Sequence, residues 1–145
     1  MGAGLVTTGA LLAAVEARIT ATVSGVTIGD FLDAPAASGE RRAHKGVRVM
    51  SPGATYEGQG SGPTWQDATE TVQIDMLHRV SPRDQITSRT DSLTFRDLVL
   101  AAVTDKAWMD GVGVVLRLTD TSTEYLGEWI AHTITLTARR RQALG

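Results

Sequence analysis

Apolar residues recur at three- and four-residue steps near the start of the chain. Leu11, Leu12, Val15, Ile19 and Val23 fall on one stripe, which predicts a helix over residues 8–23, closed by Ser24-Gly25. The pattern then loosens. Residues 26–31, VTIGDF, have the composition of a short strand, and residues 33–45, DAPAASGERRAHK, are expected to be loop. Alternation returns in GVRVM (46–50), where Val47 and Val49 oppose Arg48, and predicts a strand. Residues 51–65, SPGATYEGQGSGPTW, are rich in glycine and proline and are expected to lack regular structure. The clearest strand pattern is ETVQIDMLHRV (70–80). Val72, Ile74, Met76, His78 and Val80 share one face, and Thr71, Gln73, Asp75 and Arg79 occupy the other together with Leu77.

SPRD (81–84) then carries start signals for a helix: Ser81 as cap, Pro82 in the first position and Asp84 near the free N–H groups. The predicted helix runs over about 82–108. Its main stripe is Phe95, Leu98, Val99, Ala102 and Val103, with Ile86, Leu93 and Leu100 beside it. Thr90, Asp91 and Ser92 compete for the backbone, so any break is expected there. Asp110-Gly111 ends the helix. VGVVLRLT (112–119) is the next predicted strand, with Val112, Val114, Leu116 and Leu118 inward. DTSTEYLGE (120–128) is expected to turn, and WIAHTITLTA (129–138) closes the set with Ile130, Ile134 and Leu136 inward. The last residues, RRRQALG, read as a basic tail. The order implies one α+β domain: a mostly antiparallel sheet of about four strands, two helices on its apolar face, and long loops near 29–45 and 51–69. The other sheet face is rich in Thr, Arg and Gln.

Composition narrows the chemistry. At 145 residues, 42% hydrophobic and 21% charged, the chain is an ordinary globular domain with room for one core. A net charge of −2 gives no global field for nucleic acid. The absence of cysteine excludes disulfides, Cys-zinc sites and thiol nucleophiles, and fits a reducing compartment. No targeting segment is expected: the first residues lack a basic n-region, Glu16 and Arg18 interrupt the apolar run, and Val6 replaces the Ser or Thr of a myristoylation motif. No run approaches the ~20 apolar residues of a membrane span.

Candidate motifs are mostly eliminated. Gly58, Gly60 and Gly62 precede Pro63-Thr64-Trp65 and a strand, without the lysine that opens a helix in a phosphate loop. Ser61 has Gln59 and Pro63 where a nucleophile elbow needs glycine. His78 and His132 lie on the inward faces of two strands and are potential neighbours, but no third metal ligand stands at a suitable spacing. Hydrogen-bonded histidines at the sheet end are expected instead. Asp75 belongs to the polar face and Asp84 to a helix start, so they do not pair as acid and base. No catalytic, cofactor-binding or metal-binding residue is assigned, and a non-enzymatic role is expected.

Two basic clusters remain, Arg41, Arg42 and Lys45 (with His44), and Arg139, Arg140 and Arg141. They are either a solvated loop and tail or a surface that docks electrostatically on an acidic partner. Sequence-specific nucleic-acid contact is not expected, because no aromatic groups interleave with the arginines. Tyr56 and Trp65, the aromatics of the glycine-rich stretch, either fold onto the core or anchor a partner.

In layout the chain resembles the tail terminator (tail completion) proteins of long-tailed bacteriophages. The resemblance covers residues 8–138: the N-terminal helix, a loop-rich region, the strand ETVQIDMLHRV, the long helix within RDQITSRTDSLTFRDLVLAAV, and the closing pair VGVVLRLT and EWIAHTITLTA. It implies a structural virion protein that forms a ring, typically a hexamer, which caps the finished tail tube and docks to the head–tail connector or stopper. DNA would pass through the ring. The location implied is the tail–neck junction, with assembly in the bacterial cytoplasm. Head-completion and stopper proteins of the phage neck, which bind on the portal side, share similar layouts. The glycine-rich residues 51–65 would then form a contact arm.

Overall fold

The computed structural model describes residues 7–29, 44–57 and 65–143. The first helix, α1 (Thr8–Thr22), is capped by Thr7, whose side chain accepts from Ala10 N at 3.1 Å. It buries Leu11, Val15 and Ile19 along the expected stripe, and Val23 follows them into the core. Next come β1 (Thr27–Ile28), β2 (Gly46–Glu57) and β3 (Trp65–Arg79). The helices α2 (Gln85–Val103) and α3 (Lys106–Val112) lead to β4 (Val115–Leu126) and β5 (Trp129–Ala143).

The fold is mixed α+β. Among the described residues five strands form one sheet in the order β1-β2-β3-β5-β4, with three helices packed against it. All neighbouring pairs are antiparallel except β1 and β2, which run parallel through Thr27↔Gly46 and Ile28↔Val47. The expected count of four strands and two helices is therefore corrected by one each. Of VTIGDF, Thr27 and Ile28 pair with β2 among the described residues.

The long helix ends at Thr104, not near Asp110. Asp105 accepts from Trp108 N at 2.9 Å and caps a separate α3, which Gly113 closes at φ +83. No break occurs at Thr90-Asp91-Ser92, because Ser92 bonds to His132 and Thr90 to the Ile86 carbonyl inside the helix. At the start of α2 the cap is Asp84, accepting from Thr87 N at 3.2 Å, while Ser81 and Pro82 stay outside the helix.

Three segments expected to be irregular are strands. Residues 51–57 pair with β3 from Gly53↔Thr71 to Glu57↔Asp67. A register shift between Met50 and Gly53 takes up Ser51-Pro52, where a proline needs no ladder donor. Likewise residues 139–143 are no tail: they pair with 65–69 of β3. Residues 120–126 also extend β4 rather than turn, leaving Gly127-Glu128 as a two-residue hairpin with Gly127 at φ +70.

The core lies between the sheet and the helices. Val47, Val49, Val72, Ile74, Met76, Ile134, Leu136 and Ala138 meet Leu11, Val15 and Ile19 of α1 and Phe95, Val99 and Val103 of α2. Leu98 and Leu118, expected inward, are exposed at 52% and 42%. On α2 the buried arc instead includes Ser88 and Ser92, which face His-bearing strand ends. Arg18 fastens α1 to the α2–α3 junction. Its Nε donates to the Ala102 carbonyl at 2.9 Å, and its guanidinium lies 5.9 Å from the Trp108 ring centroid.

Candidate functional site

Among the described residues the sheet extends past its helices at one end, although Ala68 within that extension is only 1% exposed. β3 has 15 residues and spans about 50 Å at ~3.3 Å per residue, whereas the 19 residues of α2 span only about 28 Å. Because α2 begins beside the Arg79 end, the excess lies at the Trp65 end. There β2, β3 and β5 continue as a three-stranded ribbon. The ribbon gathers residues distant in sequence: Tyr56 pairs with Ala68, Arg139 with Thr69, Arg140 with Ala68, Arg141 with Asp67, and Trp65 with Ala143. Five of the candidate interface residues thus share one element. Tyr56 is 52% exposed, so it does not fold onto the core. Glu70 anchors the ribbon's base. Thr8 of α1 donates to its carboxylate at 2.8 Å and Ser51 to its other oxygen, placing a carboxylate at a helix N-terminus. Arg41 and Arg42 lie outside the described residues, and Lys45 sits at the opposite end of the sheet.

On the outer sheet face a polar rung crosses three strands. Arg48, Asp75 and Thr133 are directly opposite one another in register. Arg48 donates to Asp75 Oδ2 through Nη2 at 2.6 Å and Nε at 3.1 Å, while Gln73 and Thr133 each donate to Oδ1 at 3.0 Å. Asp75 is 8% exposed. Alternation placed Arg48 and Asp75 on outward faces, but only the ladder register brings them together.

The three histidines divide between a pocket and the core. The pocket, about 760 Å³, opens at the Arg79 end between the β3 terminus and the first turns of α2. His44 and His78 meet there edge to face, with ring centroids 4.4 Å apart. Hydrogen bonds fix both tautomers. The Arg79 N–H can only donate, so His44 Nδ1, 3.0 Å away, is bare; the Arg79 carbonyl can only accept, so His78 Nδ1, also at 3.0 Å, carries its proton. Burial, then the charges of Lys45 and Arg79, lower the His44 pKa. Burial, then His44, lower that of His78 against the opposing pull of the Arg79 carbonyl.

His132 is 1% exposed and held between two hydroxyls, Ser92 Oγ at 2.6 Å from Nε2 and Thr123 Oγ1 at 2.9 Å from Nδ1. Burial, then the Arg96 charge, lower its pKa to about 4. The Ser–His contact resembles a nucleophile and its base. Here a threonine stands where an orienting carboxylate would be, and Ser92 is fully buried, so no substrate reaches the pair. The expected neighbourhood of His78 and His132 is real: Met76 pairs with His132 and Ile130 with His78, one diagonal step apart. Among the described residues no three His, Cys, Asp or Glu side chains are grouped to hold a metal ion.

No family model and no curated protein matches this chain. The site's own geometry therefore carries the functional reading. That geometry comprises an outlying ribbon with clustered arginines and an exposed tyrosine, a braced outer face, and a pocket at the far end. No helix among the described residues is long and apolar enough to cross a membrane.

Proposed function

We propose that this chain is a ring-forming structural subunit of the tail-terminator kind, capping a phage tail tube and joining it to the head connector. The observation that carries the reading is the pair of open sheet edges. Among the described residues β1 covers only Gly46 and Val47 of β2, so residues 48–57 present one free edge, and β4 presents the other along 115–126. The edges lie on opposite sides of the sheet. A contact of one with the other is heterologous, and a heterologous contact repeated by rotation closes into a ring. The β4 side also exposes Val115, Leu118, Tyr125 and Leu126, apolar side chains on an open edge that a neighbouring subunit would cover.

The ribbon is the contact arm in this reading. Tyr56, Trp65 and the arginines at 139–141 combine the aromatic and guanidinium groups that dominate protein interfaces, and the arginines favour an acidic partner. The tail tube protein and the connector or stopper are the proposed partners, at the virion's tail–neck junction, with no cofactor and no chemical turnover.

Purified protein at high concentration, or mixed with tail tube protein, is expected to elute as a closed ring by light scattering and to show one in electron micrographs. A monomer under both conditions sinks the proposal. A pull-down with tube protein against portal-ring protein separates a terminator from a head-completion protein. Shortening residues 58–64 to a minimal link is expected to leave the melting temperature nearly unchanged while abolishing tail–head joining, because the β2–β3 ladder persists through Glu57↔Asp67.

A further inference from the structure

Lys45 is the one non-glycine residue with positive φ among the described residues, at +56. Glycine adopts that conformation freely and lysine does not. Backbone strain of this kind collects at ligand sites, where surrounding structure holds it. Lys45 sits on the wall of the pocket at the Arg79 end, beside the paired imidazoles of His44 and His78.

The pocket's groups sort by chemistry. Lys45 and Arg79 are cations without a carboxylate in ion-pair range among the described residues. His44, with Nδ1 bare, offers Nε2–H as a further donor. His78, protonated on Nδ1, offers the Nε2 lone pair as acceptor, and Asp91 offers a carboxylate. Phe95, Leu98 and Pro82 supply an apolar wall. A volume of about 760 Å³ is within the range of small-molecule sites.

We propose that this pocket binds an organic monoanion, a carboxylate carried on an apolar body. The carboxylate meets Lys45, Arg79 and the His44 N–H, and the body lies on Phe95 and Leu98. Asp91 disfavours a compact dianion such as phosphate, which also leaves the apolar wall unused. The same chemistry is offered by a free aromatic or aliphatic acid and by the carboxy terminus of a peptide. The site stands whether or not the chain forms a ring.

The test is a titration followed by the imidazole resonances of His44 and His78, with buried His132 as the internal reference. The probes are sodium phenylacetate, a tripeptide ending in phenylalanine with a free carboxylate, and inorganic phosphate. Phenylacetate or the peptide is expected to shift both pocket histidines saturably, with a dissociation constant on the order of 1 mM or tighter, and to leave His132 unmoved. Which of the two binds more tightly identifies the source of the anion. Lys45→Gly relieves the backbone strain and is expected to hold or raise the melting temperature while weakening binding roughly tenfold. Arg79→Gln is expected to weaken it similarly, since its backbone bonds to His44 and His78 remain. The proposal is overturned if neither carboxylate moves the pocket histidines at about 20 mM. It is also overturned if phosphate alone binds, or if both variants bind as tightly as the parent.

Discussion

Asp75→Ala is expected to destabilise the domain by about 3 kcal/mol, lowering the melting temperature by roughly 10 °C. Asp75 accepts from Arg48, Gln73 and Thr133 with both oxygens in the middle of the sheet. Its side chain is 12% exposed and that of Arg48 18%. Removing the carboxylate takes two hydrogen bonds from a guanidinium that water reaches only in part, and leaves Gln73 and Thr133 without this acceptor. Replacing the whole pair costs far less. Arg48→Met with Asp75→Leu is expected to recover most of the loss, because the pair's attraction is offset by the desolvation of two ions. Urea denaturation of the two single variants and the double variant gives the coupling directly. Additive losses would mean that the rung holds nothing together.

The second large effect is a loss of stability in mild acid. His132 is neutral in the folded protein with a pKa of about 4, against an ordinary 6.5. Between those values the unfolded chain binds a proton that the folded chain refuses. Stability is therefore full above about pH 6.5, falls as pH drops towards 4, and levels off below. The contribution is roughly 2–3 kcal/mol; it falls short of the full shift because the Ser92 and Thr123 hydroxyls can rotate to accept from an imidazolium. His44 and His78, whose pKa values are also lowered, push in the same direction. Carboxylates titrate in this window too, so the comparison that isolates His132 is with His132→Leu. The stability gap between parent and variant is expected to narrow steadily from pH 7 to pH 4. A gap independent of pH would mean that His132 titrates normally.

Both effects rest on residues whose faces were legible in the sequence and whose partners were not. Alternation put Asp75 and Arg48 outward and His78 and His132 inward, and each stands there. Nothing in GVRVM or ETVQIDMLHRV states which residue of one strand faces which of the other, because a slip of two residues preserves every face. Ser92 illustrates the same limit. Its intrinsic preference marked a helix break, yet a bond to His132, 40 residues away, satisfies its hydroxyl, and α2 continues through it.

The ribbon is where local pattern and tertiary structure differ most. Proline and glycine in 51–57, and arginines in 139–141, argued for loop and tail. Strand pairing overrode both because β3 runs between them and satisfies their backbone groups, with the bulge after Met50 absorbing Pro52. That pairing brought separate candidate residues, Tyr56, Trp65 and Arg139–Arg141, onto one ribbon, with the Tyr56 and Arg140 positions on one face and those of Trp65, Arg139 and Arg141 on the other. It also parted Lys45 from them and placed it in a pocket at the other end.

By itself the sequence determined the α+β class, the amphipathic α1 stripe, the inward residues of β3 and β5, and the absence of thiol chemistry. Those follow from side-chain period and residue identity, which are local properties. The tertiary structure alone decided the parallel pairing of β1 with β2, the length of the ribbon, the Arg48–Asp75–Thr133 rung and the burial of His132 between two hydroxyls. Each depends on register between segments far apart in the chain, and register is fixed only when the whole apolar face closes on its helices.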